Sequence, residues 1–178
     1  MLRLATTLGR VTATSSATFA TAARVLAEDP MAAGPKDIPE KLTLTLATPD
    51  KALYENEEVY CTLIPSMVGM TGVLPGHVAL VTELKPGVVV VQKESDGPKE
   101  QYFVPTGFAV VNDDSTLNIN VPEAVPVADI DIEAARAAQT EYTNAFSAAS
   151  TDEERARAQI GAELYGTMVL AASQDVFA

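Results

Sequence analysis

"DIDIEAARAAQTEYTNAFSAAS", Asp129 to Ser150, is where the hydrophobic period of this chain changes. Ile132, Ala135, Ala138, Tyr142, Phe146 and Ala149 recur every three or four residues, the spacing of one face of an α-helix. Downstream, "STDEE" (150–154) holds two pairs at capping-box spacing, Ser150 with Glu153 and Thr151 with Glu154. A second periodic run then follows through Ala156, Ile160, Leu164, Met168 and Ala171. Two amphipathic helices with a short joint predict an antiparallel αα-hairpin over 129–173. Its inward positions are mostly small, and Gly161 and Gly166 each cost about 1 kcal/mol of helix propensity. Close approach of the two helix axes is the expected reason for keeping them.

Upstream of Asp129 the period is two. "KLTLTLAT" (41–48) sets Leu42, Leu44 and Leu46 on one face and Thr43 and Thr45 on the other, as in a half-buried strand. "EEVYCTLIP" (57–65) repeats the pattern, with Val59, Cys61 and Leu63 opposite Tyr60, Thr62 and Ile64. "GVVVVQ" (87–92) is apolar without alternation and short, which predicts a strand buried on both faces. "QYFVPTG", "GFAVVNDDS", "STLNINV" and "EAVPVAD" continue to residue 129, each bounded by Gly, Pro, Asn or Asp. Seven to ten short strands predict an antiparallel β-sandwich or flattened barrel over 41–128. "NDDS" (112–115) reads as a solvated hairpin turn, because it lacks the D-x-D-x-D-G spacing of a calcium loop. The fold class is therefore α+β, a β-sandwich followed by a two-helix hairpin.

The first 27 residues belong to another composition class. They contain Arg3, Arg10 and Arg24, many Ser and Thr residues, and no acid before Glu28. At about 100° per residue, Leu4, Leu8 and Val11 share one helical face while Arg3, Arg10 and Thr14 share another. That pattern predicts a mitochondrial transit peptide over 1–27. Residues 28–40, "EDPMAAGPKDIPE", read as an exposed lead-in, and 174–178 as a tail. Loss of the three arginines would leave 9 basic residues against 24 acidic ones.

Bulk properties exclude several function classes. With 178 residues and 47% apolar content the chain can bury a sizeable core. A net charge of −12 disfavours nucleic acid and anionic lipid, and favours basic protein surfaces. No apolar run reaches the ~18 residues of a membrane-spanning helix. One cysteine rules out an internal disulfide framework, and Cys61 cannot build a thiolate metal site alone. Nucleophilic catalysis would have to pair Cys61 with His77, the single histidine, yet Cys61 sits in an alternating strand as a small apolar residue. Neither phosphate-loop fingerprint is present. Glu57/Glu58 and Glu153/Glu154 read as solvated charge. These patterns point to a non-catalytic module without a metal or cofactor.

Two stretches carry a resemblance. "GMTGVLPGHVALVTELKPGVV" (69–89) and "YFVPTGFAVVNDDSTLNI" (102–119) resemble the central-stalk subunits of F-type rotary ATP synthases, called delta in mitochondria and epsilon in bacteria and chloroplasts. The matching positions are Gly69, Gly72, Leu74, Pro75 and His77, then Leu84, Pro86, Gly87 and Val88, and again Gly107, Phe108 and Ala109. The resemblance spans about 41–173 and implies a sandwich of about ten strands with a helical hairpin. It implies a non-catalytic rotor part that links the gamma subunit to the c-ring, next to a small mitochondrial epsilon subunit. It places that part on the matrix side of the inner membrane. The loop with Gly69, Gly72, Leu74, Pro75 and His77 is then the interface toward the ring and gamma, with Gly72 and Gly76 supplying special backbone conformations. His77 is either a contact or loop-positioning residue there, or it only hydrogen-bonds its own loop. Some bacterial relatives bind ATP through an I/L-D-x-x-R-A segment. Here "IDIEAARA" (130–137) puts Glu133 where that Asp is expected, so Glu133 and Arg136 read as helix-surface charges. A free-standing sandwich that binds a small ligand is the alternative function.

Overall fold

The computed structural model describes residues 38–173. The readings of 1–27 and 174–178, and of most of the lead-in, lie outside the described residues. The described residues hold ten strands: β1 (Leu42–Ala47), β2 (Ala52–Val59), β3 (Cys61–Ser66), β4 (Gly69–Val73), β5 (Leu80–Leu84), β6 (Gly87–Gln92), β7 (Lys99–Val104), β8 (Gly107–Val111), β9 (Thr116–Asn120) and β10 (Val125–Pro126). A 3₁₀ turn at Val127–Asp129 leads to helices α1 (Ile132–Ala148) and α2 (Asp152–Ser173).

The strands follow the order β10-β7-β6-β3-β5-β8-β9-β1-β2, with β4 on the other side of β3. The path has one thin link, the single pair Ser66↔Leu84 between β3 and β5. The sheet folds over there into two layers, and Leu42, Leu44, Ile64, Val89, Val104 and Ile119 fill the space between them. Its far ends meet again through side chains. Tyr54 of β2 donates its hydroxyl to the Glu100 carboxylate of β7, and its ring stands edge-on to Tyr102 at 5.9 Å. Lys93 completes this seam with ion pairs to Glu57 at 2.8 Å and Glu100 at 3.2 Å. One pairing departs from the antiparallel expectation: β1 and β9 run parallel.

The period-two reading of 57–65 needs a correction. Val59 is fully buried, but so are Thr62 and Ile64, while Cys61 and Leu63 are half-buried. The reason is that the chain changes layers at Tyr60. Val59 still pairs with Leu42 of β1, whereas the Tyr60 amide already donates to the Gln92 carbonyl at 2.9 Å and Cys61 pairs with Gln92 of β6. The inward parity resets where the ladder changes. It leaves the Thr62 hydroxyl buried and unpartnered, at a cost of about 1–3 kcal/mol.

β6 is apolar on both faces for a structural reason. Val89 and Val91 enter the inter-layer core, while Val88 and Val90 share the outer face with Phe103 of β7 and lie under Leu164, Met168 and Ala171. The hairpin therefore docks on the outer face of β6–β7 through the C-terminal half of α2. The helical face also differs from the expected stripe. Leu164, Met168 and Ala171 of that stripe do pack inward, but Ala156 and Ile160 are exposed while Ala158 and Gly161 are buried. Tyr142 of α1 decides the matter by lying on Gly161, where a Cβ would overlap its ring, and by stacking on Tyr165 at 5.5 Å. Of the two capping boxes, Thr151/Glu154 forms. Thr151 Oγ1 accepts from the Glu154 amide, and Glu154 accepts from the Thr151 and Ser150 amides at 3.2 and 3.0 Å. α1 starts at Ile132 rather than Asp129, because Asp131 is its N-cap and accepts from the Ala134 amide at 3.1 Å.

Candidate interface site

The loop from Gly69 to His77 holds strand β4 and a tight turn, with another tight turn before it and β5 after it. The first turn joins β3 to β4 and presents Met67 and Val68 at its tip, Val68 being 95% exposed. Ser66 anchors it from below, its buried hydroxyl donating to the Gly69 carbonyl at 2.7 Å and lying 2.9 Å from Thr71 Oγ1. Gly69 takes φ +133°, a conformation that side chains resist, and a Cβ there would meet open space. Backbone geometry, not crowding, calls for glycine here. The Met67 amide donates to the Glu83 carbonyl at 3.2 Å, which ties the tip to β5.

The second turn is Leu74–His77. The His77 amide donates to the Leu74 carbonyl at 3.1 Å, with Pro75 and Gly76 (φ +76°) between them. Pro followed by a positive-φ Gly is the signature of a type II turn. The His77 imidazole turns back on its own loop, Nδ1 lying 2.8 Å from the Val78 carbonyl. A carbonyl accepts only, so Nδ1 carries the hydrogen and Nε2 stays open for a partner. Gly72 does not need the special conformation expected of it. It sits in β4 opposite Leu63, where a Cβ would stand 3.3 Å from a Leu63 methyl. Its small size serves packing.

β5 runs between the two turns, and its outward face continues them. Val81 and Phe108 of β8 project from the same side, since Val81 pairs with Val110 and Glu83 with Phe108. Met67, Val68, Met70, Leu74, Val78, Val81 and Phe108 are all exposed. These seven large apolar side chains come from the β3–β4 turn, β4, the segment from Leu74 to Val78, β5 and β8, and exposed apolar surface of this kind is what partner binding covers. Beside the tip, a cleft of about 460 Å³ lined by Pro65, Met70, Pro86, Thr167 and Leu170 separates it from α2. This apolar surface was only partly legible beforehand. Gly69, Gly72, Leu74, Pro75 and His77 do fall together, on β4 and the turn after it. Met67, Val68, Met70, Val78, Val81 and Phe108 were missed, although the parity of Gly107-Phe108-Ala109 could have marked Phe108 as outward.

Nothing in this geometry activates a nucleophile. The Cys61 thiol donates to Gln92 Oε1 at 3.5 Å, and burial raises its pKa. That is the wrong direction for a reactive thiolate. His77 is engaged with Val78. Glu133 and Arg136 pair with each other at 3.5 Å on the exposed side of α1.

Residues 41–127 match the family profile described as ATP synthase, Delta/Epsilon chain, beta-sandwich domain. An ATP synthase subunit delta', mitochondrial, from Ipomoea batatas is 41% identical over 139 residues, covering 78% of this chain and 68% of the relative. The chain belongs to the ATP synthase delta/epsilon family. A delta subunit from the fungus Agaricus bisporus, also named mitochondrial, is 39% identical over 132 residues, covering 74% of this chain and 80% of its own length. The chain spans about two thirds of the plant delta' relatives it matches, 65% for that of Pisum sativum. Among solved structures, a chain of the Euglena gracilis mitochondrial ATP synthase, OSCP/F1/c-ring, aligns with a TM-score of 0.72 and 34% identity, covering 78% of this chain and 86% of that one. A chain of the Tetrahymena thermophila ATP synthase central stalk and c-ring shares the fold at a TM-score of 0.56 and 18% identity. The delta/epsilon match begins one residue before β1 and ends on the first residue of the 3₁₀ turn, so both turns and the exposed apolar side chains lie within the family's sandwich domain.

Proposed function

We propose that this chain is a non-catalytic rotor subunit in the central stalk of a mitochondrial F-type ATP synthase. It links the gamma subunit to the c-ring on the matrix side of the inner membrane and carries proton-driven rotation toward ATP synthesis. The observation that carries this reading is the set of exposed apolar side chains on β4, β5, β8 and the two turns, on a stiff sandwich in a member of the delta/epsilon family. A part that transmits torque needs a scaffold that does not yield and contacts that fit in shape. Two layers packed through fully buried aliphatic side chains supply the first. The exposed apolar side chains and the two turns supply the second, with Gly69, Gly72, Leu74, Pro75 and His77 facing the ring and the gamma foot. The acidic surface suits basic neighbours, and the small mitochondrial epsilon subunit completes the set of partners. Residues 1–27 serve as the import segment and are removed.

The test is a native separation of gently solubilised mitochondria, with this chain detected through a C-terminal tag. Co-migration with the ATP-hydrolysing band is expected. Val68→Asp and Phe108→Asp should each reduce incorporation without lowering the unfolding midpoint, because both side chains are exposed. A chain found only as a free species of its own mass would overturn the assignment.

A further inference from the structure

The Leu74–His77 turn is held by a residue 39 positions away. The Gly76 amide donates to Ser115 Oγ at 2.8 Å. Ser115 belongs to the turn between β8 and β9, where the Asn112 amide donates to the Thr116 carbonyl at 2.9 Å. Hairpins of this length place one left-handed residue before the second strand, and that position usually goes to glycine. Here it is Ser115, at φ +64° and only 3% exposed. Its backbone is fixed on both sides. Its carbonyl accepts from the Thr43 amide at 3.0 Å at the start of the parallel ladder, and Asp114 Oδ1 accepts from the Thr116 amide and hydroxyl at 3.0 and 2.7 Å. A strained, buried serine is therefore aimed at one amide. On the other side of Gly76, Ile38 covers the backbone so closely that a Cβ would stand 2.8 Å from its Cγ2.

We propose that Ser115 is the positioning residue of the Leu74–His77 turn, its hydroxyl holding the Gly76 amide so that Leu74 and His77 Nε2 are presented to the partner in one pose. This rests on the reading of that turn as a partner contact. A turn with two exposed apolar neighbours, Leu74 and Val78, would otherwise be ordered only on binding, which weakens association. Serine in place of glycine at the left-handed position is explained by the hydroxyl that glycine lacks.

The experiment compares full-length wild type, Ser115→Ala and Ser115→Gly. Alanine removes the hydroxyl and keeps the backbone strain; glycine removes both. Two readouts report on the turn itself: hydrogen exchange of the Gly76 amide, and the imidazole signals of His77, unobstructed because the chain has one histidine. A third readout is affinity for a gamma–c-ring subcomplex lacking this subunit. The expected result is that both variants speed Gly76 exchange by about fivefold to tenfold, shift the His77 signals, and weaken binding several-fold. Exchange in the β6 and β7 amides should stay unchanged. A silent Ser115→Gly would overturn the proposal, since the hydroxyl would then be dispensable. Should Ser115→Ala fail to fold, Ser115→Gly still decides, together with the wild type, whose Gly76 amide must be protected although its turn is exposed. Both variants loosening the turn with affinity unchanged would keep the clamp and remove the turn from the interface, a failure of the functional reading rather than of the hydrogen bond.

Discussion

The sandwich and the helical hairpin are stabilised by opposite means. Between the layers, Leu42, Leu44, Leu46, Ile64, Leu117 and Ile119 are completely buried, so each strand contributes large side chains to a shared interior. In the hairpin the fully buried positions are Ala135, Ala158, Gly161 and Ala171. Small residues bury little area, so α1 and α2 depend on close approach and on local caps. Burial on the scale of about 25 cal/mol per Å² then makes the sandwich the cooperative core and the hairpin the more easily opened part. Docking runs through Leu164, Met168 and Ala171 in the C-terminal half of α2, which pack on Val88, Val90 and Phe103 with Val127 and Ile130 alongside. A rotor part built this way has a rigid end at the two turns and a softer end at the helices.

The largest effect should come from the core. Leu44→Ala, at a fully buried position, is expected to cost about 2–5 kcal/mol and to lower the denaturant midpoint of both regions together, since the hairpin buries too little area of its own to stand without the sandwich. A hairpin that kept its helicity after the sandwich unfolded would break the comparison. Gly161→Ala comes next. The added methyl overlaps Tyr142, and overpacking of about 1–3 kcal/mol should outweigh the gain of about 1 kcal/mol in helix propensity. Hydrogen exchange should then quicken in α1 and the first half of α2, and stay slow in β1 and β9. Thr151→Ala removes half of the capping box and should cost about 1 kcal/mol, read as earlier fraying of α2 with the sandwich transition unmoved.

The smallest effect is a pH dependence located at the seam. Glu100 is held below the usual carboxylate range, first by the Tyr54 hydroxyl and then by Lys93 and Tyr102. A lowered folded pKa means stability that is present above the unfolded value, about 4.3, and is lost as pH falls through the folded one. Its carboxylate is partly exposed, so screening keeps this to a few tenths of a kcal/mol up to about 1 kcal/mol. Glu100→Gln should flatten the acid limb of the stability curve and leave the neutral plateau slightly lower. An unchanged acid limb would mean that the seam follows the closure of the sandwich rather than supporting it.

What local pattern could determine, the sequence determined. Leu42-Leu44-Leu46, the four valines of β6 and the period change at Asp129 report burial directly, because side-chain direction follows backbone geometry within an element. The Thr151/Glu154 cap and the Pro75-Gly76 turn are legible for the same reason, their partners lying a few residues apart. The parity reset at Tyr60 is not, because it depends on which strand, β1 or β6, supplies the next hydrogen bond. Nor is the helical face: Ala158 and Gly161 displace Ile160 from the interior only because Tyr142 of the other helix needs their space. Most of the exposed apolar side chains near the two turns belong with these. Val81 looks like a core residue in sequence, and only the pairing of β5 with β8 shows that it shares an outward side with Phe108. Ser115 looks like one more polar residue in a solvated turn until tertiary structure sets its hydroxyl against an amide 39 positions earlier. Contacts across that distance are set by the packing of two layers, and no window along the chain contains both partners.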